Sequence, residues 1–402
     1  VATKKSTVSK DSYQLRDPGI QIEEVELGAF TERSLRIYGE EVNLNRAVPD
    51  FRDGLKPVGR RILWALQGLP KDQMLKTSRL VGEVIGKFHP HGSSSVVGAI
   101  GTTVVSNANP IAGVGNWGSI IDSIGADRYT NVLLSKYGKT FFHPSYLPLS
   151  TLIPNYDDKD VEPLFIPALL PNLLLNGAEG IGLGLTTKIP AFTPASLLPL
   201  LADMAEDKDL PDKEIAKRLE FSHQYGGVAV KSKANFLKVI DLLNATSASI
   251  QWTSPFEVDR DKKCITISNF GPEVNPITLI ENKVKPLTEV SSVHSGKGVS
   301  YSIQIRKDLN FNEFDKFVEK FTKMVSTSIS YQLYVTSSKM VEGKKKVKFA
   351  NVTLKDLMGR WVKYRIALEV ASLKYRVSVH EKRDLYLSLL IRACDSLDPC
   401  LH

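Results

Sequence analysis

The sequence predicts an α+β fold laid out in three successive parts, and three observations carry that prediction. Residues 78–105 have the apolar pattern of a helix–turn–helix. Helical and strand-like stretches alternate over residues 191–348, and a three–four apolar spacing runs on from Leu354. The chain has 402 residues, 42% of them hydrophobic and 24% charged, enough for about two or three domains of ordinary globular composition. A net charge of +8 leans toward a polyanionic partner. Cys264, Cys394 and Cys400 have neither metal-site spacing nor even pairing, which favours a reducing compartment. No apolar run reaches membrane-spanning length, and the first residues lack the apolar core of a signal peptide. The expectation is a soluble cytoplasmic protein without a membrane partner.

Residues 1–30 read as a polar, basic arm turning helical from Ile22 toward Tyr38, suited to docking on another surface. Five cations then fall within sixteen residues: Arg46, Arg52, Lys56, Arg60 and Arg61. Asp53-Gly54 marks a turn, and Pro57 is placed for the first position of a helix. Val58, Ile62, Leu63 and Leu66 mark one apolar face of that helix, and Arg60 and Arg61 fall off it. Such a segment suits phosphate gripping; a solvated basic loop is the bland alternative. In the helix–turn–helix, Leu80, Val81, Val84 and Ile85 form the first apolar face. His89-Pro90-His91-Gly92 breaks it, and Ser93, Ser94 and Ser95 open and cap a second helix with Val96, Val97, Ile100 and Val104 inward. A helix start also favours a phosphate. His89 and His91 have no third ligand in reach along the chain, so a hydrogen bond to phosphate is favoured over metal.

A glycine-rich loop, Gly113-Val114-Gly115-Asn116-Trp117-Gly118-Ser119, leads to Asp127-Arg128-Tyr129-Thr130. Arg-Tyr alone is a common dipeptide and reads as an ordinary surface tyrosine. In a basic chain beside cations, Tyr129 reads as a nucleophile toward a DNA phosphate. A phosphotyrosyl ester roughly conserves the energy of the bond it replaces, so the break can be resealed. A free phenol ionises near pH 10, so cations, Arg128 first, must stabilise the phenolate and the developing phosphorane charge.

The run R-A-V-P-D-F-R-D-G-L-K-P-V-G-R-R, the block G-K-F-H-P-H-G-S-S-S, and the motifs G-N-W-G-S and D-R-Y-T together resemble the breakage-reunion (A-type) subunit of type IIA DNA topoisomerases. That family includes the A subunits of gyrase and topoisomerase IV and the medium subunit of phage enzymes. The resemblance covers about residues 25–400. It implies a winged-helix DNA-cleavage domain over 31–160, an α+β tower over 161–350, and over 351–402 the start of a coiled-coil helix whose exit gate is absent from this chain. It implies catalytic roles for Tyr129, Arg128, Arg46 and His91. DNA contacts are implied for Lys56, Arg60, Arg61, His89, Ser94, Asn176 and Ile181. Ile181 maps to the isoleucine that wedges between base pairs and bends the duplex; read from the residues alone, it could equally be core. The surrounding glycines lack the acidic partner of a dinucleotide fold.

The Lys344-Lys345-Lys346 cluster after Glu342-Gly343 reads as a solvated hairpin tip. Thr353-Leu354-Lys355-Asp356 resembles a capping box. Leu354, Leu357, Trp361, Tyr364, Leu368, Ala371 and Tyr375 then read as a coiled-coil seam. No Walker motif occurs, and no D-x-D carboxylate cluster with a separate glutamate is recognisable in a context suited to two-metal chemistry. The resemblance therefore implies a separate B-type subunit that binds ATP and most of the Mg²⁺, in a heterotetramer holding two copies of each chain on double-stranded DNA. Relaxation or decatenation is expected, and a phage-like source. Three departures stand out. Gly98 replaces an acidic residue that helps anchor quinolones, Gly59 replaces a histidine, and Glu179 replaces a small hydroxyl residue beside Ile181. A non-enzymatic DNA-binding or DNA-bending protein that keeps the fold is the competing reading.

Overall fold

A computed structural model of the chain describes residues 25–70, 73–296 and 299–397. Most of the N-terminal arm, residues 1–24, lies outside the described residues, as does Cys400. The first described helix, α1, spans Leu27–Val42, further along the chain than its periodicity implied, and ends in a π-helical turn, Asn43–Ala47.

Three hydrophobic cores organise the rest. The first is built by α2 (Pro57–Gly68), α3 (Thr77–Lys87), α4 (Ser93–Val104) and a three-stranded antiparallel sheet. Its strands are β1 (Leu75–Lys76), β2 (Ile111–Val114) and β3 (Asn131–Leu134), with β3 central. Leu80, Val84, Val96 and Ile100 are fully buried, because spacings of three and four put them on the facing sides of α3 and α4. Ser93–Ser95 open α4 as expected, but no serine caps it. Gly92 is the cap residue, and the Ser95 hydroxyl donates back to the Gly92 carbonyl at 2.7 Å.

The second core joins a five-stranded antiparallel sheet to several helices. In it, β4 (Ala178–Ile181) and β5 (Thr186–Ile189) form a hairpin at one edge, followed by strands Ser326–Gln332, Ser247–Thr253 and Val228–Ala229. Ile250 faces Ile329 across the two longest strands, both buried. The third core sits between a four-stranded sheet and the helix Phe311–Met324, whose Phe314, Phe317 and Phe321 project inward. Asn310 and Glu313 close a full capping box at its start.

The hairpin β6 (Tyr334–Val341) and β7 (Lys344–Asn351) turns at Glu342-Gly343, so the lysine cluster begins at the tip and runs down β7. The last helix, α5 (Leu354–Leu397), starts with Asp356 N donating to Thr353 Oγ1 at 3.1 Å. Its apolar spacing has a different use from the one expected. Leu354, Leu357, Trp361 and Leu368 are buried, the first three within the second core, so the first part of the seam read from the sequence docks α5 onto its own chain, whereas its last members, Ala371 and Tyr375, are exposed. The outward stripe is offset from it: Ile366, Val370, Leu373 and Val377 are exposed at three–four spacing. Where α5 leaves the body it is latched. The Tyr146 hydroxyl donates to Glu369 at 2.6 Å, Arg365 donates to Tyr146 Oη at 2.7 Å, and Ser372 donates to the Ser145 carbonyl at 2.9 Å.

Candidate nucleic-acid interface

Tyr129 lies just before β3, and the loop that presents it is pinned on both sides. Its own N–H donates to the Ala126 carbonyl at 2.9 Å. Next door, Thr130 is buried, and its hydroxyl donates to Thr77 Oγ1 at 2.8 Å while Thr77 N donates to the Thr130 carbonyl at 3.1 Å. The backbone is therefore tied to the start of α3, yet the Tyr129 side chain is 69% exposed. The Arg128 guanidinium lies 4.7 Å from its ring centroid. A phenol held in solvent beside a cation can meet a phosphate without rearrangement of the core.

Six of the other sequence-predicted residues converge on a groove of about 1050 Å³ between the end of α1, the start of α4 and the β4–β5 hairpin. Arg46, Lys56, His89, His91, Ser94 and Asn176 all line it; Tyr129 and Arg128 do not. Arg46 sits exposed on the π-helical turn. Ser94 and His91 are exposed at the start of α4, where backbone N–H groups lack intrahelical partners. Ile181, at the end of β4, is 79% exposed, which rules out a core role.

Three assignments need correction. Arg60 is not a DNA contact: it is buried on α2 and forms a two-pronged pair with Asp53, Nε to Oδ2 at 2.7 Å and Nη2 to Oδ1 at 3.1 Å. Asp53 is fully buried and accepts from the N–H groups of Leu55 and Ile166 as well, so a cation must accompany it there. Arg61 is committed to Glu162 by bonds of 2.6 and 2.8 Å, and its Nη1 lies 3.2 Å from His89 Nδ1. It orients His89 and is not an open phosphate ligand. Burial, then the positive charge of Arg61, lowers His89 from its usual range to about 4, so it is neutral at pH 7. Asn176 uses both amide hydrogens internally, on Ala108 O and Asn172 Oδ1, each at 2.8 Å, and its oxygen accepts from Ala108 N.

Lys56 faces the groove, but its ammonium already donates to the Glu179 carbonyl at 2.5 Å, and burial holds its pKa below the usual lysine range. Sequence reading missed Lys188. It also lines the groove, 2.6 Å from Glu273 and 3.5 Å from Glu179, so its charge is offset locally. Nothing in the local sequence signals this, because Glu273 is 85 residues away. Among the described residues, no three His, Cys, Asp or Glu side chains gather to hold a metal ion, and no helix is long and apolar enough to cross a membrane.

An α+β chain that combines this groove with an exposed Arg-Tyr loop and a long terminal helix falls among the A-type subunits of type IIA topoisomerases. The family described as the A subunit of DNA gyrase/topoisomerase IV matches residues 46–401, and the chain belongs to it. It is 29% identical over 397 residues to the DNA gyrase A subunit of Halalkalibacterium halodurans, covering 94% of this chain and 46% of that protein. The corresponding Helicobacter pylori protein is 31% identical over 327 residues, 76% of this chain and 39% of its own length. The Streptococcus pneumoniae protein is 28% identical over 387 residues, 91% of this chain and 45% of its own. The chain thus spans less than half the length of these relatives.

Proposed function

We propose that the chain is the DNA-breaking subunit of an ATP-dependent type II topoisomerase, and that Tyr129 is its nucleophile. The Tyr129 oxygen attacks a backbone phosphorus; the new O–P bond replaces the bond to the 3′ oxygen, which leaves as a 3′ hydroxyl after taking up a proton. The phenol proton passes to solvent. The protein is left joined to the 5′ end, and the reverse attack by the 3′ hydroxyl reseals the strand without added energy. The observation that carries this reading is the exposed phenol with Arg128 at 4.7 Å, on a loop whose backbone is fixed.

The remaining roles follow from placement. Arg46 and His91 line the groove and Tyr129 of the same chain does not, which favours an active site assembled from the groove of one copy and the tyrosine of another. Arg46 then neutralises the phosphate that Tyr129 attacks, and neutral His89 donates one ring hydrogen. The α2–α4 unit with its small sheet acts as the winged-helix cleavage domain, and residues 161–350 act as the tower beneath flanking DNA. The outer half of α5 enters a coiled coil. Ile181 inserts between base pairs and kinks the duplex at a cost of a few kcal/mol, offset by added contacts. ATP and Mg²⁺ belong to a B-type partner in an assembly of two copies of each chain. The described residues offer no ligand set for the metal, so no step here is routed through it. Relaxation and decatenation are the outcomes assigned, since passing a duplex through a bent break requires no wrapping; the setting is the bacterial cytoplasm or a phage-infected cell.

The test mixes the chain, its B-type partner, Mg²⁺ and supercoiled plasmid, followed by denaturation. Wild type becomes attached to 5′ ends, whereas Tyr129→Phe forms no adduct and still binds DNA. Adduct formation by Tyr129→Phe would overturn the assignment. DNA binding without any adduct from wild type would leave the competing reading, a DNA-bending protein.

A further inference from the structure

Asn43 opens the π-helical turn, three residues before Arg46. Its amide is bonded at both ends to one residue of a distant segment. Leu183 N donates to Asn43 Oδ1 at 2.8 Å, and Asn43 Nδ2 donates to the Leu183 carbonyl at 3.1 Å, across 140 residues of chain. Leu183 lies in the turn between β4 and β5, two residues beyond Ile181. A paired amide of this kind fixes orientation as well as distance.

Two further contacts reinforce the joint. A Cβ on Gly180 would strike the Ala47 carbonyl oxygen, so β4 lies directly against the π-helical turn. Lys56 Nζ holds the Glu179 carbonyl at 2.5 Å on the same strand. The hairpin that presents Ile181 and the turn that presents Arg46 are thus fastened at two points, and Lys56, just before α2, holds the same strand from a third side. Both side chains, in contrast, are themselves exposed. Single π-helical turns are frequent at functional sites, and here the turn is positioned by a neighbouring hairpin.

We propose that Asn43 is a positioning residue that couples deformation of a bound duplex to the arginine. Pressure of the duplex on Ile181 passes through Leu183 and the Asn43 amide to the turn that carries Arg46. Arg46 therefore reaches the phosphate when the duplex is bent and lies short of it when the duplex is straight. The inference rests on the reading of Ile181 as the wedge and Arg46 as a phosphate ligand. Its new content is the link between them.

The experiment is a double-mutant cycle on the chain assembled with its B-type partner. Asn43→Ala removes the amide. Gly182→Ala attacks the same joint from the other side, because its Cβ would collide with Asn43 Oδ1. Bending is read by energy transfer across a short duplex labelled at both ends, in a Tyr129→Phe background so that no chemistry is needed. Covalent adduct and DNA affinity are read separately.

Asn43→Ala is expected to lower bending and to lower adduct about tenfold, with affinity changed by less than about twofold, as befits a lost positioning contact and not a lost ligand. Gly182→Ala should do the same. The double variant should be no worse than either single one, since removing the amide makes room for the new methyl group. Bending that falls while adduct does not, adduct that falls while bending does not, or single effects that multiply would each sink the coupling. Should Gly182→Ala fail to fold, Asn43→Ala alone still decides it. Should wild type form no adduct, the catalytic reading fails, and the bending arm shows separately whether Asn43 steadies the wedge.

Discussion

Two arginine-bearing regions of this chain look alike in sequence and differ in almost every physical respect. At the start of α2, Arg60 is buried against Asp53, and both partners are bonded on several sides. On the π-helical turn and the tyrosine loop, Arg46 and Arg128 stand exposed, and no ion pair forms with either among the described residues. The first region holds the fold together around a carboxylate that the turn at 53–55 requires. The second has cations available to a partner. The basic run 46–61 thus divides into paired struts and cations without an ion-pair partner among the described residues, and Asp50, Asp53 and Glu162, which hold Arg52, Arg60 and Arg61, make that division.

The largest expected effect tests the strut. Arg60→Ala leaves Asp53 buried without its counter-charge, and should lower stability to urea by about 3–5 kcal/mol. A loss under about 1 kcal/mol would show that Asp53 tolerates solitude, and the contrast between the regions would collapse. His89 stands between the two regions, half-buried and held by Arg61. Its folded pKa, about 4, lies below the ordinary 6.5, so the unfolded chain binds the extra proton first. Stability from this group is therefore complete above about pH 6.5 and declines as pH falls toward 4, by roughly 1 kcal/mol once solvent screening is discounted. Urea titrations of wild type and His89→Gln at pH 7 and pH 5 check this: the variant should lose that part of the pH dependence. The smallest stability effect belongs to the exposed cations. Arg46→Ala should leave stability within about 0.5 kcal/mol and reduce the salt slope of DNA binding by about one. An unchanged slope would mean that Arg46 touches no phosphate.

Elements with strong local signals were readable in advance. The helix Phe311–Met324 has an apolar stripe and its own capping box, and it falls where the periodicity placed it. The α3–α4 pair was legible because its helices are short, amphipathic and separated by a breaker, His89-Pro90-His91-Gly92. The fate of individual polar side chains was not, since it depends on partners remote in sequence. Arg61 meets Glu162 across 101 residues, and Asn43 meets Leu183 across 140. The first part of the α5 seam was misread for a related reason. Three–four spacing shows that a helix has an apolar face, but not whether that face meets its own chain or another. The exposure of Tyr129 and Ile181 shows only in three dimensions, because an apolar or aromatic residue read in isolation is assigned inward by default.

The latch formed by Tyr146, Arg365, Glu369 and Ser372 is the last point at which these contacts hold α5 to the body. From there to Leu397 the helix projects about 40 Å at 1.5 Å per residue, so a tilt of about 5° at the latch swings its far end by roughly 4 Å. Those few bonds act as a fulcrum with considerable mechanical gain. Ångström-scale play between Tyr146 and Arg365 would be magnified severalfold at Leu397.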